Sequence, residues 1–119
     1  MLVEIDVDGV GYNCVADRNN PSATKWMIPR SQNSTASDDY AIVTRVVNPG
    51  TEKTVVLVAG IQDAGAQAAS EFTTEPAYMN AAFRGVPRGW ERRNIQLVLH
   101  TKMIAGTPGP ATVVGMYFW

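Results

Sequence analysis

Gly60-Ile61-Gln62-Asp63-Ala64-Gly65 has the glycine spacing of a phosphate-binding loop, and it stands where an apolar run ends and an alanine-rich segment begins. A strand that feeds a helix through such a loop leaves backbone N–H groups and the positive end of the helix dipole facing one point, which suits an anion. The Lys-Ser/Thr pair that neutralises phosphate and holds magnesium is missing, because Ala66-Gln67 follows instead. The loop is therefore not that of a P-loop NTPase. What survives is a weaker anion site built from Gly60, Asp63, Gly65 and Ala66. The plain alternative is a structural turn in which Asp63 caps the helix.

Two further constellations could bear chemistry. Arg84, Arg88, Arg92 and Arg93 gather around Trp90 with only Glu91 to offset them. Arginines beside an aromatic can hold phosphate or stack on a base, and Arg84 or Arg88 could close over an anion at the glycine turn. The plain alternative is a solvated loop. His100 is the sole histidine. It could share a site with Asp38-Asp39 and Glu71, but without a second His or Cys it supports no metal, and no nucleophile can be set beside it. A hydrogen-bonded strand histidine accounts for it more simply. No complete catalytic set, cofactor motif or metal motif emerges.

Composition narrows the classes. The chain has 119 residues, a formal net charge of −1 and one cysteine, Cys14. This is the size of one domain. Near-neutrality argues against nucleic acid or an anionic membrane as partner. One cysteine excludes an intrachain disulfide and a Cys-based zinc site. No apolar run reaches the roughly 18 residues of a spanning helix. The acidic, alternating start Met1-Leu-Val-Glu-Ile-Asp is unlike a signal peptide, and a cytoplasmic protein is expected.

The elements that must position these residues follow from periodicity. Residues 2–7 and 10–16 alternate around Asp8-Gly9 and predict a hairpin. Residues 17–39 read as a long polar loop with one apolar island, Trp26-Met27-Ile28, either an anchor to the core or a lid. Asn33-Ser34-Thr35 matches a glycosylation sequon and, without a secretion signal, carries no weight. Tyr40–Val47 and Thr54–Ala59 predict an antiparallel pair across Asn48-Pro49-Gly50-Thr51. Thr54–Ala59 is apolar on both faces, the pattern of a central strand covered on both sides. Helices are predicted over 64–72 and 75–84, the second capped by Thr74 and stopped by Gly85. Residues 94–104 and 111–119 predict a closing antiparallel hairpin. Residues 1–119 form one α/β domain: hairpin 1–16, polar loop 17–39, core 40–119. The expected architecture is a mixed sheet of about five to six strands with two consecutive helices packed on it.

The segments Asp39-Tyr40-Ala41-Ile42-Val43, Ala59-Gly60, Gly65, Ala68-Ala69-Ser70-Glu71-Phe72, Thr74-Glu75-Pro76-Ala77-Tyr78, Trp90, Asn94-Ile95-Gln96-Leu97-Val98-Leu99, Gly106-Thr107-Pro108-Gly109-Pro110 and Trp119 carry a resemblance. From residue 39 onward the chain resembles an uncharacterised Rossmann-like α/β domain of soil-bacterial proteins, for which no activity is established. The resemblance implies the second half of a Rossmann-like unit. There the glycine is commonly followed by threonine, whereas Ala66 follows Gly65 here, so a hydroxyl that could touch an anion is missing.

Two functional readings compete. The first is a small non-enzymatic interaction or self-assembly module. Its motive is the apolar-aromatic end Gly115-Met-Tyr-Phe-Trp119, which places Val114, Met116, Phe118 and Trp119 in an expected homo-oligomer interface. In this strand Val113, Tyr117 and Trp119 are expected on one face, and Val114, Met116 and Phe118 on the other. The second reading is a nucleotide- or anion-binding domain using the Gly60–Gly65 turn and the Arg84–Arg93 loop, with a small anionic ligand. No cofactor is expected on either.

Overall fold

The computed structural model describes residues 2–17, 19–20, 26–30, 37–48, 50–86, 88–104 and 107–119. Strands β1 (Leu2–Val7) and β2 (Val10–Val15) form the expected antiparallel hairpin. Its two-residue turn needs left-handed backbone twice, and Asp8 (φ 51°) and Gly9 (φ 80°) supply it. Strand β3 (Met27–Pro29) pairs with β2 and completes a three-stranded sheet. Arg30 ties the sheet across its strands, donating to Glu4 at 3.1 Å and Asp6 at 2.7 Å. The apolar island inside the polar segment is thus mostly a strand. Its neighbours 18, 21–25 and 31–36, including the Asn33-Ser34-Thr35 sequon, lie outside the described residues.

The main sheet contains β4 (Asp38–Val47), β5 (Thr54–Gly60), β6 (Ile95–Ile104), β7 (Thr107–Pro108) and β8 (Thr112–Phe118). Its order is β5-β4-β6-β7, with β8 also on β6. Register places Val43 between Val58 and Leu97, and Ala41 between Gly60 and Leu99. These residues face helices α1 (Asp63–Thr74) and α2 (Pro76–Ala82). Ala69, Phe72 and Phe83 pack on Ala41, Val43, Ile95, Leu97 and Leu99, and Phe118 lies against them. Alanines on α1 let it sit close to the strands, and Phe72 and Phe83 fill the space between. The opposite sheet face carries Ile42, Thr44, Gln96, Val98, Gly115 and Tyr117. The small sheet covers part of it, with the Trp26 ring against Gly115.

Both helices form close to their expected positions, and Gly85 follows α2 at φ +84°. Thr74 does not cap α2: Glu75 is the N-cap, and Thr74 Oγ1 donates back to the carbonyls of Ser70 and Glu71.

The expected class is corrected. Strand makes up 52% of the described residues and every pairing among them is antiparallel, so this is a mostly β fold and not a mixed-sheet, Rossmann-like α/β sandwich. The reason is the place of β4. Strands β5 and β6, joined through the two helices, do run parallel to each other. Antiparallel β4 lies between them and pairs with both. A strand–helix–strand pattern in sequence is the same whether or not another strand is inserted.

The central position of Thr54–Ala59 is also corrected, because among the described residues β5 is the edge of the sheet, with β4 as its one neighbour. Val55 and Leu57, expected in the core, are 52% and 61% exposed. The alternation expected for the terminal strand fails at one point. A bulge shifts the register so that Val113 pairs with Leu99 and Gly115 with Val98. The extra residue, Val114, breaks the period of two. Val113 therefore shares the helix-facing side with Met116 and Phe118, not the side of Tyr117.

Candidate functional site

The glycine turn is assembled from β5, the start of α1 and the start of β4. The Asp39 carboxylate, 1% exposed, reaches across from β4 and occupies the helix N-terminus. Its Oδ2 accepts from Gly65 N–H at 2.6 Å and Gln62 N–H at 3.1 Å, and its Oδ1 accepts from Tyr40 N–H at 2.9 Å. Ile61 N–H donates to the Tyr40 carbonyl and Ala66 N–H to the Gln62 carbonyl. The N–H groups of Ile61, Gln62, Gly65 and Ala66 thus have partners within the chain. The carboxylate of Asp39 stands where the anion was expected.

The glycines have a matching reason. A Cβ on Gly65 would lie 2.7 Å from both Asp39 Oδ2 and the Tyr40 carbonyl oxygen. One on Gly60 would collide with Ala66 N and lie 2.6 Å from the Gln62 carbonyl oxygen. Both glycines permit close approach of strand and helix. Burial pushes the Asp39 carboxyl above its ordinary value, and the nearby Asp63 adds to this, while the three N–H donors oppose it. Asp63 itself is not the cap. It is the exposed first residue of α1, and the N-cap position belongs to Gln62, whose side chain makes no capping bond. The capping group comes from a strand 26 residues away in sequence.

Arg84 and Arg88 are exposed. Phe83, next to Arg84, packs on Trp90 at 4.2 Å and on Phe118 at 6.3 Å between ring centres. Phe118 pairs with Ile95, whereas Asp39 pairs with Thr101. Six residues of strand separate these points, about 20 Å. The arginine loop therefore lies toward the other end of the sheet from the glycine turn, and the structure does not bring the two together.

The residue that organises this loop is Arg45, which the sequence reading missed. Its guanidinium lies 5.3 Å from the Trp90 ring centre, and Nη2 donates to the carbonyls of Trp90, Glu91 and Arg93 at 2.9–3.0 Å. Its Nε is buried without a partner among the described residues. Burial lowers the Arg45 pKa, with Glu91 opposing. The available signal was a lone arginine inside the β-branched run Tyr40–Val47.

His100 and Asp38 do meet: Nε2 and Oδ1 are 2.7 Å apart, with the Tyr40 ring 5.1 Å from the imidazole. The hydrogen bond from His100 holds the Asp38 carboxyl below its ordinary range. Burial, with Asp38 nearby, pushes Tyr40 up. Asp39 points to the opposite sheet face, as strand alternation requires, and Glu71 is exposed on α1. The three-residue Asp39-Glu71-His100 arrangement does not form. Among the described residues no group of three or more His, Cys, Asp or Glu could hold a metal ion. Cys14 is buried, and its thiol is pushed up by that burial.

Of the four terminal-strand residues assigned to an interface, Phe118 is turned into the helix-side core, against Phe83 and Ile95. Val114, Met116 and Trp119 are exposed. The more pronounced apolar surface is on β5. Its seven residues, Thr54–Gly60, carry no charge, and Val55, Val56 and Leu57 are all about half exposed or more. Val56 pairs with Arg45 on the helix side, while Val55 and Leu57 pair with Val46 and Thr44 on the other. Apolar side chains thus flank, on both faces, a backbone edge that has no strand partner among the described residues.

No described helix is long and apolar enough to cross a membrane. Comparison with family models, curated proteins and solved structures found no match.

Proposed function

We propose that this domain is a non-enzymatic self-association module in which β5 of one protomer pairs antiparallel with β5 of its partner. The observation that carries this reading is the β5 edge: an uncharged strand, apolar on both faces, with Leu57 at its centre 61% exposed. Edge strands are usually protected by charge, proline or a covering loop. Neither charge nor proline lies within Thr54–Gly60. A two-fold axis near Leu57 would set the strand against itself with no like charges opposed, and closed two-fold contacts are the commonest assembly. Burying a Val or Leu side chain is worth about 1.5–3 kcal/mol, so completing the burial of three half-exposed ones contributes about 2–4 kcal/mol per protomer. New backbone hydrogen bonds along the edge add to this.

Light scattering coupled to size exclusion, run from low to high micromolar, tests the reading. The intact chain is expected to run as a dimer, and Leu57→Lys as a folded monomer with an unchanged far-UV spectrum. A monomeric intact chain at high micromolar concentration overturns the proposal. A Leu57→Lys protein that stays dimeric removes β5 from the interface.

A further inference from the structure

Alternate residues of β5 already bond to β4 through their backbone. Ile61 N–H donates to the Tyr40 carbonyl at 2.9 Å, and Asn48 N–H donates to the Lys53 carbonyl at 2.8 Å. Both bonds fit the register that pairs Gly60 with Ala41 and Thr54 with Val47. Antiparallel ladders alternate hydrogen-bonded and non-hydrogen-bonded pairs. Moving inward from Ile61 and Lys53, the residues that exchange N–H and C=O with β4 are therefore Val55, Leu57 and Ala59. Thr54, Val56, Val58 and Gly60 turn theirs away from β4, toward the edge that has no strand partner among the described residues. Side chains alternate with the same period. Val56 and Val58 stand on the helix side of the sheet, and Val55, Leu57 and Ala59 on the other.

We infer that two copies of β5 meet in one register, with the two-fold axis passing between Leu57 and the partner's Leu57. This rests on the β5 pairing proposed above and specifies how the strand recognises itself. Outward groups can bond only to outward groups, so Thr54, Val56, Val58 and Gly60 must each face a member of the same set. An axis at Leu57 sets Val56 opposite the partner's Val58, and Thr54 opposite the partner's Gly60. Every outward N–H and C=O of β5 then gains a partner. An axis at Val56 leaves Gly60 outside the ladder, and one at Val58 leaves Thr54 outside. A slip of one residue sets outward groups against residues whose own groups already bond to β4, and it turns every side chain to the wrong face. Side-chain size agrees with the Leu57 axis. In its non-hydrogen-bonded pairs, where side chains approach most closely, Leu57 meets Leu57 and the bulk of Val55 meets the small Ala59.

The test is disulfide trapping in a glutathione redox buffer, with light scattering on the intact chain alongside. Non-hydrogen-bonded antiparallel pairs bring Cα atoms to about 4.5 Å, within disulfide reach. Cys14 is buried, so the intact chain should stay unlinked. Leu57→Cys should form a linked dimer. Val55→Cys and Ala59→Cys should each stay unlinked alone and link when mixed. Amide exchange reads the same alternation in the unsubstituted chain. Val56, Val58 and Gly60 N–H should exchange about tenfold or more slowly in the dimer than in monomeric Leu57→Lys, while Val55 and Ala59 stay slow in both. If Leu57→Lys breaks the dimer yet neither cysteine arrangement links, the register is overturned and the β5 pairing stands. Linking only in mixtures of Leu57→Cys with Val55→Cys or with Ala59→Cys overturns it too, by moving the axis to Val56 or Val58. An intact chain that is monomeric overturns both.

Discussion

Removing the Asp39 carboxylate should unpin α1 from the sheet. In Asp39→Ala the N–H groups of Gly65, Gln62 and Tyr40 all lose their acceptor. Gly65 is buried, and an orphaned buried N–H costs about 1–3 kcal/mol. Loss of a helix N-cap costs about 0.5–2 kcal/mol. Together these give about 2–5 kcal/mol, a large share of the roughly 5–15 kcal/mol that stabilises a domain. Asp39→Asn should cost less, about 1–3 kcal/mol, because its amide oxygen can still accept from Gly65 and Gln62 while its NH₂ opposes Tyr40 N–H. The pH dependence has a defined sign. Burial raises the folded carboxyl above its unfolded value near 3.8. Its contribution is therefore complete below that value and is lost as pH rises through the folded pKa. The stability gap between the native chain and Asp39→Asn should narrow as pH rises. Urea unfolding across pH 4–8, with amide exchange at Gly65, provides the measurement. A cost below about 1 kcal/mol for Asp39→Ala, or unchanged Gly65 protection, would refute the capping argument.

Three further outcomes follow from the same geometry. Leu97→Ala, at a side chain 1% exposed, should cost about 2–5 kcal/mol, whereas Leu57→Ala should cost under about 1 kcal/mol at protein concentrations low enough to dissociate a dimer. Equal losses in urea unfolding would mean that β5 is covered within one protomer. Arg45→Lys should destabilise by about 1.5–3 kcal/mol, because one ammonium cannot reproduce the planar contact with Trp90 and three carbonyls; unchanged Trp90 fluorescence and unfolding midpoint would count against that role. The Asp38–His100 contact depresses the Asp38 carboxyl, so its stabilisation holds above pH 3.8 and fades as pH falls through the folded value. Asp38→Asn should lower stability at neutral pH and converge with the native chain in acid, and parallel curves across that range would rule the contact out as the cause.

Sequence periodicity carried the local elements. The Asp8-Gly9 turn, the alternation around it and the β-branched and apolar runs all became strands near their expected places. The alanine-rich stretch after Gly60 and the Pro76–Gly85 segment became the two helices. These are decided within a few residues by turn geometry and by which face can be buried, so they are legible without the fold.

Order within the sheet is a different kind of quantity. Nothing local tells a doubly apolar central strand from a doubly apolar edge strand, and only the placement of β4 between β5 and β6 left Val55 and Leu57 in solvent. The same insertion gave Rossmann-like spacing to an antiparallel sheet. A single bulged residue, Val114, moved Val113 to the other face. The glycine turn was correctly seen as a helix start, but its cap came from Asp39, which no spacing rule connects to Gly65. Burial decided that outcome, since Gly65 N–H, removed from water, requires an acceptor, and the chain supplied one from a neighbouring strand. Composition and period thus determined the pieces of this protein. Tertiary structure alone decided which carboxylate meets which amide and which apolar strand stands at the sheet edge, because both depend on contacts between residues far apart in the chain.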